Sequence, residues 1–330
     1  MNLTTDYLGL KLKNPLMPGA SPLVDDLSTV RQLEDAGAAA IVMHSLFEEQ
    51  IELEREALER DVESHTQSFA EALTYLPNED DFDETSEQYL QLIGKIKATV
   101  SIPVIASLNG ITPGGWVGHA KLIEQAGADA LELNYYDLPS DPKKSGAEVE
   151  QRALDLVAAI RKDVKLPIAV KLSPFFSSLP NFVTRLLGAG ANGVVLFNRF
   201  YQPDINIEDL DTESVLELST SAELRLRLRW LAILSSQVET SYAATGGVHS
   251  AEDAVRAIMA GANVVQIVSA LLQNGVGHLA TVLADLTQWL EEHEYESVTQ
   301  MRGTMNLKHC PDATAFERAN YLRILKSWQV

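Results

Sequence analysis

The chain has 330 residues, 46% hydrophobic and 22% charged, the proportions expected of a water-soluble globular protein. A formal net charge of −20 disfavours nucleic acid and anionic membrane as partners, because both need a basic face. One cysteine, Cys310, excludes an internal disulfide framework and fits the reducing cytoplasm.

No run approaches the ~18 apolar residues of a membrane span. The opening residues, MNLTTDYLGLKLKNPLM, lack the unbroken apolar core of a secretory signal. The length suits one large α/β barrel or two smaller domains.

In chain order, eight short apolar runs follow one another: Leu16–Ala20, Ala39–His44, Val104–Leu108, Ala130–Asn134, Ile168–Leu172, Gly193–Asn198, Tyr242–Thr245 and Val264–Val268. They are mostly continuous rather than alternating, which suits parallel strands buried on both faces. Helical spacing separates them, as in Val149, Ala153, Leu156, Val157, Ile160 and again in Val276, Leu279, Leu283, Leu286, Leu290. Ser250 is a candidate N-cap with Asp253 as its capping-box partner.

An Ala-Gly-Ala phrase recurs at 36–38, 126–128, 189–191 and 260–262. Each follows a helical pattern and precedes an apolar run, so each Gly is read as the left-handed residue that ends a helix. Eight strands alternating with helices predict a (β/α)8 TIM barrel over residues 1–330; a doubly wound sheet is the competing arrangement. Two βα connections are long, about 45–88 and 199–224. They fall over the C-terminal mouth, where barrel active sites form. Much of the acidic charge lies within 48–88 and reads as a solvated surface.

In a barrel the turns after strands seven and eight commonly bind phosphate. Here they read Thr245-Gly246-Gly247 and Val268-Ser269. Two glycines let backbone N–H groups approach an anion, the next helix adds partial positive charge, and Ser269 offers a hydroxyl. There is no G-x-G-x-x-G and no P-loop, so a dinucleotide fold is unsupported. Other strand ends carry Ala20, Ser21, Asn109, Asn134, Lys171 and Asn198. Amides and a lysine around a barrel mouth suit a flavin ring, whose reduced anion a cation near N1 stabilises. The alternative for Lys171 is a buried ion pair with Glu132. No metal site is expected.

The segments NPLMPGAS, AGADALELN, LPIAVKLSP and ATGGVHSAEDAVRAIMAGANVVQIVSALL resemble, in order, the dihydroorotate dehydrogenases of the soluble class. The resemblance implies a TIM barrel carrying FMN at the strand C-termini. It implies oxidation of dihydroorotate to orotate in pyrimidine synthesis, a small-molecule substrate and a homodimer. Residue by residue, it implies Gly246, Gly247, Val268 and Ser269 on the phosphate. Ala20 and Ser21 line the flavin, Lys171 approaches N1 and O2, and Asn134 and Asn198 stand between flavin and substrate.

The substrate half departs from that pattern. The family's catalytic loop carries a Cys or Ser; here NYYDLPSD has Asp137 there and Pro139 where an asparagine closes the loop. His44 stands where a lysine is expected after strand two. Leu76-Pro77-Asn78 matches the substrate loop, with Ala72 in place of its asparagine. Asp137 is thus the candidate base, with His44 and Lys171 as further catalytic groups. Asn78, Tyr136 and Arg199 join Asn134 and Asn198 as candidate substrate contacts.

A plain solvated loop is the bland alternative for 135–146, and a satisfied core histidine for His44. A flavin enzyme acting on another small CH–CH substrate remains open, as does a flavin- or phosphate-binding barrel without turnover. No cysteine cluster exists for an iron–sulfur centre. Fumarate, NAD through a partner subunit, and oxygen all stay open as electron acceptors.

Overall fold

The structure, a computed structural model, describes residues 1–50, 86–111, 116–199, 202–213, 215–318 and 320–327. Most of the first long connection, with Ala72 and Asn78, lies outside the described residues.

A hairpin, β1 (Thr5–Tyr7) and β2 (Leu10–Leu12), precedes the barrel. The barrel strands are β3 (Leu16–Pro18), β4 (Ile41–Phe47), β5 (Val104–Asn109), β6 (Ala130–Asn134), β7 (Ile168–Leu172), β8 (Gly193–Leu196), β11 (Ser241–Thr245) and β12 (Val264–Ile267). They form one parallel eight-stranded sheet in the order β3-β12-β11-β8-β7-β6-β5-β4. The ladder runs almost fully round. At the remaining seam Ala39 N–H donates to Leu16 O at 2.9 Å. Each predicted apolar run is a barrel strand, with ends shifted by up to three residues.

Helices α1 (Leu27–Asp35), α2 (Ser86–Thr99), α3 (Trp116–Gln125), α4 (Gly146–Asp163), α5 (Leu179–Ala189), α6 (Leu224–Ser235) and α7 (Ala251–Ala260) alternate with the strands. After β12 come a short α8 (Ser269–Asn274) and the longer α9 (His278–Glu292). Among the described residues no helix is long and apolar enough to cross a membrane. The second long connection, 199–224, contains a small antiparallel ribbon, β9 (Asp204–Asn206) and β10 (Asp211–Glu213).

The glycines of the four Ala-Gly-Ala phrases all have positive φ, from 95 to 124°. A residue without Cβ adopts that backbone cheaply, so the chain leaves each helix and enters the next strand at once. Ser250 does cap α7, accepting from Asp253 N–H. The expected box is displaced by one residue, because the Asp253 carboxylate accepts from His249 N–H at 3.1 Å rather than from the cap residue.

Strand periodicity decides what faces the lumen. Met17, Val42, Ile105, Ala130, Ala169, Val195, Ala243 and Val264 form one buried cluster with Tyr7, Leu8 and Leu12 of the hairpin. That cluster is the barrel floor. Their chain neighbours Leu16, Ile41, Val104, Leu131, Ile168, Val194, Ala244 and Val265 belong to the outer layer between strands and helices. Two residues further along several strands the inward position is polar: Ser107, Glu132, Lys171, Thr245 and Gln266. The lumen therefore changes from apolar to polar on the way to the C-terminal mouth.

Candidate active site

The mouth holds a cavity of about 1010 Å³. Ala20, Ser21, His44, Asn109, Asn134, Tyr136, Lys171, Asn198, Arg199, Thr245, Gly246, Gly247, Val268 and Ser269 all line it. These come from all eight strand ends, which only closure of the barrel brings together.

At one side the β11 and β12 turns make the cradle. Gly246 and Gly247 have φ of +83 and +84°, a region that disfavours any residue with a Cβ. A Cβ on Gly247 would lie 2.5 Å from Leu224 N, and one on Gly246 would lie 2.8 Å from Arg227 Nη2. So the start of α6 presses on the outside of the turn, and the glycines answer this packing as well as backbone approach to an anion. Arg227 is buried; its Nε donates to Thr245 O at 3.0 Å and its Nη1 to Glu223 O at 2.9 Å. Burial draws its pKa down from the ordinary arginine value, with Glu223 opposing.

Sequence reasoning missed Ser219. It comes from the 199–224 connection, is 3% exposed, and lies across the cradle. Its Oγ accepts from Gly247 N–H at 3.3 Å and donates to Ser269 Oγ at 2.9 Å, while His249 Nε2 lies 3.4 Å away. No local pattern marks Ser219, since only tertiary folding carries that loop onto the cradle.

Deeper in the lumen Lys171 Nζ and Glu132 Oε1 are 3.2 Å apart, and Gln266 Nε2 donates to Glu132 Oε2 at 2.6 Å. Lys171 is thus both ion-paired with Glu132 and at the cavity wall. Tyr7 lies below, its pKa pushed well up by burial and then by the charge on Glu132. Ser21 Oγ, Asn134 Oδ1, Asn198 Nδ2 and Gln266 Oε1 are buried without a hydrogen-bond partner among the described residues. Buried polar atoms are normally satisfied. These four residues line one cavity, and their mix of donors and acceptors fits a flat heterocycle bearing ring nitrogens and carbonyls. The phosphate cradle and this polar wall together fit FMN.

Elsewhere on the cavity wall β4 carries an irregularity. Val42 pairs with Ile105 and Ser45 with Ser107, so two residues oppose one. A bulge re-aims side chains, and here both His44 and Ser45 reach the cavity wall. His44 Nδ1 lies 2.6 Å from Asp25 Oδ1. Tyr89 meets the imidazole edge-on, with centroids 5.1 Å apart. Glu48, Glu49 and Gln50 follow along the same wall. Sequence reasoning passed over Gln266, Asp25 and Glu48. Gln266 was detectable as a polar residue at an inward strand position, whereas Asp25 meets His44 only through folding.

Asp137 is the correction. It does not line the cavity. Its side chain is 7% exposed and 2.5 Å from Arg152 Nη2 on α4. Tyr135 O–H donates to the same carboxylate at 3.2 Å. Burial and then the Asp137 charge push the Tyr135 pKa up. The loop turns this carboxylate back into the βα layer as a strut, while the next side chain along, Tyr136, faces the cavity.

The fold and site define a TIM-barrel flavoprotein of the oxidoreductase class. A family profile described as dihydroorotate dehydrogenase matches residues 2–290. The catalytic subunit of dihydroorotate dehydrogenase B (NAD(+)) from Methanosarcina mazei is 29% identical over 303 residues, covering 89% of this chain and 92% of its own. That from Thermoplasma acidophilum is 26% identical over 312 residues, 92% and 98% of the two chains. Chloroplastic dihydropyrimidine dehydrogenase (NADP(+)) from Arabidopsis thaliana is 22% identical over 328 residues, 92% of this chain and 76% of its own. The chain belongs to the dihydroorotate dehydrogenase family. It is an oxidoreductase, and FMN is its cofactor.

Proposed function

We propose that this protein oxidises dihydroorotate to orotate, the step that supplies the pyrimidine ring in biosynthesis. The observation that carries the reading is the shared cavity. A phosphate cradle at Gly246, Gly247 and Ser269 and a polar wall at Lys171, Asn134 and Asn198 open onto the same space as His44 and Arg199.

In this reading the cradle and Ser219 hold the FMN phosphate. Ala20, Ser21, Asn109, Thr245 and Val268 flank the cofactor, and Lys171 faces the N1 side of the ring. When bound, FMN accepts the hydride from the substrate carbon. Asn134 and Asn198 bind the substrate ring, Tyr136 covers it, and Arg199 pairs with its carboxylate. His44 takes the proton from the adjacent carbon, the part first given to Asp137. Asn78 stays a candidate substrate contact by its position in Leu76-Pro77-Asn78. Cys310, the sole cysteine, supports a cytoplasmic setting, and the family resemblance supports a homodimer.

A second reading has its own support. Asp25, Glu48 and Glu49 line the cavity with His44, a wall richer in acids than an anionic substrate favours. A neutral dihydropyrimidine, or another small CH–CH substrate, suits it better. The test is anaerobic addition of dihydroorotate and of dihydrouracil to the FMN-loaded protein. Loss of the flavin's visible absorbance with dihydroorotate supports the first reading. Loss with dihydrouracil alone supports the second, and no loss with either ends both.

A further inference from the structure

We propose that His44 and Asp25 form a dyad in which Asp25 positions the imidazole and stabilises its protonated form as the substrate proton arrives. The inference rests on the flavin-enzyme reading above and names the machinery that replaces the missing Cys or Ser base.

Three observations converge on it. First, the irregularity of β4 between Val42 and Ser45 brings His44 to the cavity. Second, Asp25, in the connection between β3 and α1, meets Nδ1 at 2.6 Å, and its side chain also lines the cavity. A carboxylate at that nitrogen accepts the Nδ1–H and leaves the lone pair on Nε2, the tautomer a base needs. Third, the ring is braced. Tyr89, fully buried on α2, packs edge-on against it. The Tyr89 hydroxyl donates to His44 O (3.1 Å) or Ser107 O (3.0 Å) and accepts from Ser107 N–H at 2.9 Å. Asp137, the carboxylate at the loop position where the resemblance puts the base, does not line the cavity and is committed to Arg152.

The step balances within the site. A substrate C–H bond would break with its proton passing to His44 Nε2, and FMN, when bound, would supply the acceptor for the hydride that leaves the neighbouring carbon. The new charge on His44 is met by Asp25. Among the described residues the other ionisable groups on this wall are Glu48, Glu49 and Tyr89, with Arg199 opposite. Glu48 Oε2 is held by Ile111 N–H at 2.8 Å.

Two measurements test the dyad. Imidazole NMR titration of FMN-free protein should show the His44 midpoint moving to lower pH in Asp25→Asn and staying near wild type in Asp25→Glu. In stopped-flow reduction by whichever substrate bleaches the flavin, His44→Ala should slow the step by about 10²-fold or more. Asp25→Asn should lower the plateau by about ten-fold and move the rising limb of the pH profile to lower pH. Unchanged FMN binding in both variants shows that the site survives. A His44 titration indifferent to Asp25→Asn overturns the proposal, and so does a reduction rate unmoved by His44→Ala. If no candidate substrate reduces the flavin, the proposed reaction fails, while the titration still decides the dyad.

Discussion

Replacing Lys171 by Met tests the charge network in the lumen. Glu132 is 1% exposed and has two partners, Lys171 at 3.2 Å and Gln266 at 2.6 Å. Removing one member of a buried ion pair typically costs about 3–5 kcal/mol, because the remaining charge is left uncompensated. Gln266 keeps its hydrogen bond to the carboxylate, so Glu132 stays partly satisfied and the expected loss lies at the low end of that range, about 3 kcal/mol. Urea unfolding of FMN-free protein reads it directly. The double variant Lys171→Met/Glu132→Gln removes the stranded charge and should recover about half of the loss or more. A single variant within about 0.5 kcal/mol of wild type, or a double variant less stable than the single, would refute the reasoning. After FMN is added, Lys171→Met should also alter the flavin absorbance spectrum, since in the proposed reading it removes the cation on the N1 side.

Gly247→Ala should yield folded but colourless protein, because φ is +84° and the new Cβ would lie 2.5 Å from Leu224 N; stoichiometric FMN uptake in a fluorescence titration would contradict this. Asp137→Asn should leave the rate of flavin reduction within about two-fold of wild type while lowering stability by about 1–2 kcal/mol, since Arg152 loses its charged partner. A hundred-fold slower reduction would return Asp137 to the mechanism. Glu148 is held below the ordinary glutamate value by the Ser145 backbone N–H and then its hydroxyl. Its folded-state pKa is lowered, so its contribution is complete above the ordinary glutamate value and fades as pH falls through the lower folded value. Hydrogen exchange should show the first turn of α4 loosening only below about pH 4.5, and Glu148→Gln should remove that dependence.

Residues Ala130, Glu132 and Asn134 illustrate how much of the site was legible. Alternation along a strand assigns all three to one face, and a Gly-ended helix pattern before them fixes where the strand begins. The same argument recovers Lys171 and Thr245, and applied to VVQIV it also recovers Gln266. The two turns were legible as a candidate cradle because Gly-Gly ends one strand and Ser follows the next. The β4 bulge was not, because an extra residue in a ladder depends on the partner strand rather than on the bulged sequence. Without it His44 reads equally as a lumen or a core residue.

Asp137 went astray for a related reason. The resemblance puts the family's catalytic residue at its place in the loop, but Arg152, fifteen residues on in α4, pairs with its carboxylate away from the cavity. Local patterning along the chain was enough to specify eight strands, their order and the glycine turns, because each depends on backbone period and steric limits within a few residues. Which carboxylates face the cavity, and which histidine they serve, was settled only when the barrel closed. Those pairings join residues 15 to 134 positions apart, and charges choose partners by proximity in space.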